Sequence, residues 1–351
     1  VNVVEAIKEV AGFANDDATF GSFANVCFHK GEVWAMGPAA GAVEPTPDLD
    51  ISIAVPARKM TRAIQAMGKK DVEFSVEGSR LTIRGAGKAT VEGALIKDQP
   101  KVHKPPAEGW IQVAGMARLP QLEDTVSKDT TRRHLSGVHF QDDRAESTDG
   151  HGMMRLQLQV DKPLPSAIVM VAALSGLPDV CWLAHQGGRL FISAVDPTKG
   201  NSGLGYSGLG YRFAGIVEAA FPPAQEIING AKEQPVMTVD RLALIDLVKR
   251  ARLSNKMIRI EVVRNKLTVA VDEGGDTLFA FASSVEFETK VKGNAVPSGV
   301  IGFDSTLLLP MLSHATSAAV DLWLTPDPKG GLGPLMLIDG PFTAVLMPCR
   351  L

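Results

Sequence analysis

The chain has 351 residues, 45% of them hydrophobic and 21% charged, with 34 Gly, 22 Pro and a formal net charge of −3. A chain this long buries roughly three quarters of its unfolded surface, so it folds without disulfides or a structural metal, and its length favours two or three domains. The charge excludes a uniformly basic, histone-like coat. Cys27, Cys181 and Cys349 are odd in number and lack a CxxC spacing, which argues against a disulfide framework or zinc knuckle and suits a reducing compartment. No apolar run reaches the roughly 18–20 residues of a membrane span, and VNVVEAIKEV lacks the basic region and apolar core of a signal peptide. A cytoplasmic location is expected.

In chain order, helical periodicity is expected over residues 3–13, 57–67, 116–126, 171–183, 241–253 and 305–314. Pro120, Pro178 and Pro310 interrupt three of these segments. Between them recurs a turn residue followed by apolar/polar alternation. Clear copies are Ser79-Arg80-Leu81-Thr82-Ile83, Gly188-Arg189-Leu190-Phe191-Ile192 and Asn265-Lys266-Leu267-Thr268-Val269. Looser copies begin at Gly31, Asp143 and Gly333. The grammar of helix, strands, helix, strands, repeated along the chain, is α+β with mostly antiparallel sheet. Polar, Pro- or Gly-rich stretches at 101–109 and 229–235 read as linkers, which gives domains 1–104, 105–230 and 231–351. The tandem SGLGY-SGLGY within 196–211 reads as a long insertion between strands.

Two motifs invite enzymatic readings. Gly203-Leu204-Gly205-Tyr206-Ser207-Gly208 matches GxGxxG, but a strand pattern follows it where a phosphate-binding glycine turn must open a helix, so no nucleotide cofactor is expected. Ser147-Thr148-Asp149-Gly150-His151 carries the residue types of a hydrolase or metal site. No HxxxH pair, GxSxG elbow or oxyanion glycines accompany it, and a tight turn at Asp149-Gly150 explains it better. A hydrolase built around Asp149 and His151 is therefore the rival reading, and no metal is expected.

Charge placement is more informative. Arg58, Lys59, Arg62, Lys69 and Lys70 form one acid-free stretch, and Lys249, Arg250, Arg252, Lys256 and Arg259 a second. Arg132 and Arg133, with Lys128, form a weaker third. A net-negative protein that gathers bases on helices suits sequence-independent contact with phosphates.

With these residues in view, the chain resembles the bacterial DNA polymerase III β subunits, the sliding clamps. Val345-Leu346-Met347-Pro348-Cys349-Arg350-Leu351 resembles the family's terminal apolar-apolar-Met-Pro-Met-Arg-Leu, and Ser147–His151 its Ala-Thr-Asp-Gly-His. The segment 130–138 is similar to the family's Thr, Arg-Pro, Leu-Asn-Gly stretch. Phe221-Pro222 followed by Ile227-Ile228, Leu253-Ser254-Asn255-Lys256 and Ile301-Gly302-Phe303-Asp304 match further family segments in order. Gly152 replaces a family Arg, Asn229 a Pro and Cys349 a Met, and the first domain is barely similar, so a divergent clamp is implied.

The resemblance implies three repeated clamp domains with antiparallel sheets outside and helices lining a central pore. It implies a non-catalytic homodimeric ring around duplex DNA that tethers polymerase, clamp loader and other clamp-binding-motif proteins. The DNA-facing residues would be Arg58, Lys59, Arg62, Lys69, Lys70, Arg132, Lys249 and Arg250. The client-peptide pocket would comprise Leu135, Thr148, Gly150, His151, Met153, Leu307, Leu332, Pro334, Met347, Pro348 and Arg350, several of them apolar as a peptide groove requires. Leu253 of one subunit would meet the strand holding Ala89 and Val91 of another. The alternative within the resemblance is a clamp-like scaffold that binds clients without encircling DNA.

Overall fold

A computed structural model describes residues 2–15, 18–68, 72–129, 131–197, 210–232, 236–271, 278, 280–289, 298–326 and 332–349. The chain divides into two compact units, one of residues 1–117 and 159–217, the other of 118–158 and 218–351.

In the first unit an antiparallel sheet runs in the order Ile53–Pro56, Asn25–His29, Glu32–Met36, Ala40–Pro45, Tyr211–Val217, Arg189–Ser193, Val180–Gln186, Ile111–Ala114, Gln159–Val160. The pairing of Ala40–Pro45 with Tyr211–Val217 places Phe213 against Gly41, where a Cβ would sit 2.5 Å from the Phe213 ring. Gly41 therefore lets the two strands pair with an aromatic ring between them. Helices α1 (Val3–Ala11) and α2 (Ala57–Met67) bury Ile7 and Val10, and Met60, Ile64 and Met67, in one apolar core with the strand residues Val26, Phe28, Leu81 and Ile83. The Asn2 side chain caps α1 by accepting from the Val4 N–H at 2.9 Å. A smaller sheet, Glu73–Glu77, Arg80–Arg84 and Lys88–Glu92, completes the unit.

The second unit is also antiparallel, in the order Val138–Asp142, Arg144–Thr148, Gly152–Gln157, Phe342–Leu346, Leu332–Asp339, Ala319–Pro326, Met237–Asp240, Phe281–Thr289, Lys266–Val271, Met257–Val263, Gly299–Asp304. Its helices are α3 (Gln225–Lys232), α4 (Arg241–Arg252) and α5 (Ser305–His314). Asp240 and Asp304 cap α4 and α5, each carboxylate accepting a first-turn N–H at 2.8 Å.

The α+β, mainly antiparallel architecture is the one the sequence implies. The expected turn-strand copies are strands, and all but the last follow a two-residue hairpin with a left-handed residue: Lys30 and Gly31, Gly78, Asp142, Gly187 and Gly188, and Arg264. Gly333 instead lies inside Leu332–Asp339, and the tight turn comes after that strand, at Gly340.

Two expected helices change character. Residues 116–126 form a 3-10 run, Met116–Thr125, because Pro120 cannot donate to an α-helical ladder. Residues 171–183 keep only a single 3-10 turn, Val171–Ala173; Gly176 at φ +68 and Pro178 end it, and Val180–Gln186 alternates as a strand. The stretch 229–235, read as linker, begins inside α3. The GxGxxG match and the SGLGY tandem at 202–211 lie largely outside the described residues.

Candidate functional site

The second unit contains an apolar cavity of about 320 Å3 built by four separate segments, 132–135, 148–153, 222–227 and 345–347. Strand Arg144–Thr148 ends in a turn whose hydrogen bonds explain the Ser-Thr-Asp-Gly-His motif. The Asp149 carboxylate accepts from the His151 and Gly152 N–H groups, each at 2.8 Å. Thr148 Oγ1 accepts from the Gly150 N–H at 3.0 Å and donates to the Gly152 carbonyl at 2.7 Å. Gly150 takes φ +94, which a side chain would strain. Asp149 thus caps the tight turn that the sequence suggests at Asp149-Gly150. Among the described residues no group of three His, Cys, Asp or Glu side chains could hold a metal.

The C-terminal strand Phe342–Leu346 pairs with Gly152–Gln157, and the Met347 N–H donates to the His151 carbonyl at 2.7 Å. That register brings Val345 and Met347 beside Met153. The third segment, Pro222, Pro223, Ala224 and Ile227, supplies the opposite wall. Ile228 anchors it in a small apolar cluster with Met153, Met336 and Val345.

Of the residues named from the sequence, Leu135, Thr148, Gly150, His151, Met153 and Met347 line this cavity together. Leu307 lines a neighbouring cleft of about 580 Å3, with Thr306 and Pro310 of α5, and that cleft shares Arg132 and His151 with the cavity. Pro348 is exposed and Pro334 half-buried within its strand, and neither lines either space. Arg350 and the side chain of Leu332 lie outside the described residues. Gly152, where a Cβ would sit 2.8 Å from the Met311 Cε, carries a strand through the place that a long side chain would need. His134, Gly152, Pro222, Pro223, Ala224, Ile227 and Val345 also line the cavity and were not assigned to the pocket from the sequence. Phe221-Pro222 was the available signal, read there as a family segment and not as a wall.

The basic residues separate into groups. Arg58, Lys59 and Arg62 project from α2 on the face opposite its buried Met60, Ile64 and Met67. Lys249 and Arg250 are exposed on α4, where Arg250 pairs with Asp246 and lies 5.9 Å from the Phe281 ring centre. Lys69 and Lys70 fall outside the described residues. Arg132 is half-buried, lines the cavity, and its Nη1 donates to the Asp149 carbonyl at 3.1 Å. Leu253 is 69% exposed, but Val91, at 5%, points into the core and is not available as contact surface. Ala89 is half-buried on the same strand, Lys88–Glu92, which pairs only with Arg80–Arg84 among the described strands.

Cys27 and Cys181 are buried free thiols, and burial pushes both up to about 12, so neither is a nucleophile at neutral pH.

No family model matches the chain, and no curated protein is similar to it in sequence. Solved structures are similar over almost its whole length. The β subunit of DNA polymerase III from Thermotoga maritima superposes with a TM-score of 0.81 at 15% identity, covering 100% of this chain and 97% of that one. The DNA polymerase sliding clamp from Bacillus subtilis gives 0.80 at 13% identity, covering 99% and 97%. The Pseudomonas aeruginosa sliding clamp bound to griselimycin gives 0.79 at 18%, covering 100% and 97%. The fold is that of a DNA sliding clamp. More narrowly, it is the fold of the bacterial DNA polymerase III β subunits, at 13–18% sequence identity to these three.

Proposed function

We propose that the chain is a non-catalytic sliding clamp: a homodimer of three-domain subunits that closes around duplex DNA and tethers client proteins. The single observation that carries this reading is the apolar cavity bounded by Leu135, Met153, Val345 and Met347 on a clamp fold. A cavity of this size accepts two or three side chains of an extended peptide. Met153 and Met347 give it walls that adapt to different clients. The partners that fit are DNA polymerase, the clamp loader and other proteins carrying a glutamine-led peptide rich in Leu and Phe. Burying two such side chains contributes about 3–6 kcal/mol before ordering costs, enough for an exchangeable tether.

DNA contact in this reading is electrostatic. Exposed Arg58, Lys59 and Arg62 on α2, and Lys249 on α4, present charge without shape that could read bases. A net charge of −3 leaves the rest of the surface unattractive to DNA. A topological ring needs no strong contact, because sliding requires weak ones.

Titration of a fluorescent clamp-binding peptide against the full chain and a variant lacking residues 347–351 tests the pocket. Saturable binding by the full chain, lost in the truncation, is the expected result. Equal affinity for both would place the client site elsewhere.

A further inference from the structure

Residues two apart on a strand share a face, so one sheet face carries parallel rows of side chains. Thr148, Met153 and Val345 oppose one another across adjacent strands and form the row beneath the cavity. The neighbouring row is His139, Glu146 and Arg155, again cross-strand partners, and it is polar, with a carboxyl and a guanidinium, although all three are buried. Arg155 donates to Glu146 Oε2 from Nε at 2.8 Å and from Nη2 at 2.7 Å. His139 Nδ1 lies 3.2 Å from Glu146 Oε1, and Arg144 Nε 3.8 Å from the same oxygen. Burial alone would raise the Glu146 carboxyl, but His139, Arg155 and Arg144 together hold it below the usual carboxylate range.

This row touches the pocket wall at both ends without lining the cavity. The Phe221 ring stacks on His139, with centres 4.6 Å apart and planes 19° from parallel. Arg155 Nη1 donates to Gln225 Oε1 at 2.7 Å. Between the two contacts lie Pro222, Pro223 and Ala224, all wall residues, and Ile227 follows one helical step later. The two prolines are exposed, while Ala224 and Ile227 rest on the apolar cluster around Ile228. A guanidinium gripped through two nitrogens by Glu146 has its plane fixed, which aims the third nitrogen in one direction. Buried ion pairs contribute little net stability compared with apolar residues of similar size, but they do fix direction.

We propose that the His139–Glu146–Arg155 row positions the 221–227 wall of the peptide pocket, so that client affinity is set partly by side chains that never touch the client. The proposal rests on the peptide-pocket reading above, and its test separates the two. Gln225 is exposed, so Gln225→Ala removes the acceptor for Arg155 without opening the core. Gln225→Glu keeps an acceptor, and Asn229→Ala removes only the 2.8 Å bond between Gln225 and Asn229. Binding of the clamp-binding peptide and hydrogen exchange of the 224–229 amides are measured for all three, with the urea midpoint as the control for stability. Gln225→Ala should weaken the peptide about tenfold, as loss of one hydrogen bond to a charged group implies. It should speed wall exchange and lower the midpoint only slightly, since Gln225 is exposed, while Gln225→Glu and Asn229→Ala behave as wild type. Wild-type affinity and wild-type wall exchange in Gln225→Ala would overturn the proposal, as would a Gln225→Glu variant as weak as Gln225→Ala. Absence of peptide binding by the wild type would refute the pocket reading instead, and the wall-exchange comparison would still decide whether the row positions the wall.

Discussion

Arg132 and Asp149 are joined by a hydrogen bond from guanidinium to carbonyl at 3.1 Å, and the same guanidinium occupies the space where a side chain at Gly150 would begin, 2.8 Å from its Cβ position. The pocket loop and Arg132 are therefore one unit. Gly150→Ala meets two obstacles, the left-handed backbone and the guanidinium. It should lower stability by about 1–2 kcal/mol and displace Arg132, weakening peptide binding. Arg132→Ala should leave the turn intact, because Asp149 and Thr148 carry it. Calorimetry with the peptide checks both, and DNA retention should not change in Arg132→Ala.

The DNA contact is expected on α2. Replacing Arg58, Lys59 and Arg62 together with Ala should weaken retention on duplex DNA and flatten its salt dependence, by about 0.9 in log–log slope for each lost phosphate contact. Stability should hardly move, since all three side chains are exposed. Salt titrations on two unrelated sequences give the slope; loss confined to one sequence would contradict an electrostatic contact.

Glu44 offers a pH test of the first unit. Burial, reinforced by Glu9 and opposed by Arg212, raises its carboxyl to about 7. The folded state then holds a proton that the unfolded chain releases above about 4.5, so stability falls as pH rises from there through about 7. Glu44→Gln removes that dependence and should stabilise the protein at pH 8 by about 1–3 kcal/mol, with little effect at pH 4. Urea unfolding at both pH values measures it. An unchanged pH profile would mean that Glu44 is solvated.

Leu253, 69% exposed at the C-cap of α4, is the proposed subunit contact. Leu253→Asp would bury an unpaired charge there and should shift a dimer to monomers in sedimentation, while the monomer stays folded. A variant that remains dimeric would move the interface away from α4.

Much of the fold was legible because turns announce themselves. Gly31, Gly78, Asp142 and Gly187 sit where a two-residue hairpin demands positive φ, and a strand follows each, although only Arg80–Arg84 keeps the expected alternation while Glu32–Met36, Arg144–Thr148 and Arg189–Ser193 are buried on both faces. The misread segments carry Pro120 and Pro178, where apolar spacing suggested a helix that the missing N–H disfavours, whereas α5 accommodates Pro310. The pocket was legible only through resemblance, since Leu135, Met153 and Met347 are distant in sequence and each alone looks like core. The place of Arg132 in the cavity lining was not legible, because a run of bases does not say which member turns inward. The polar row was missed although its signal was present: Glu146 stands two residues before pocket-facing Thr148 and must share its face.

Encirclement of DNA is the central claim, and topology tests it directly. The protein is loaded on nicked circular duplex with its clamp loader and ATP, and the complex is passed through a sizing column at moderate salt before and after a single-cut restriction digest. A sliding ring should stay with the circle and be lost once the DNA is linear. Equal retention on circular and linear DNA, or retention on neither, would contradict it.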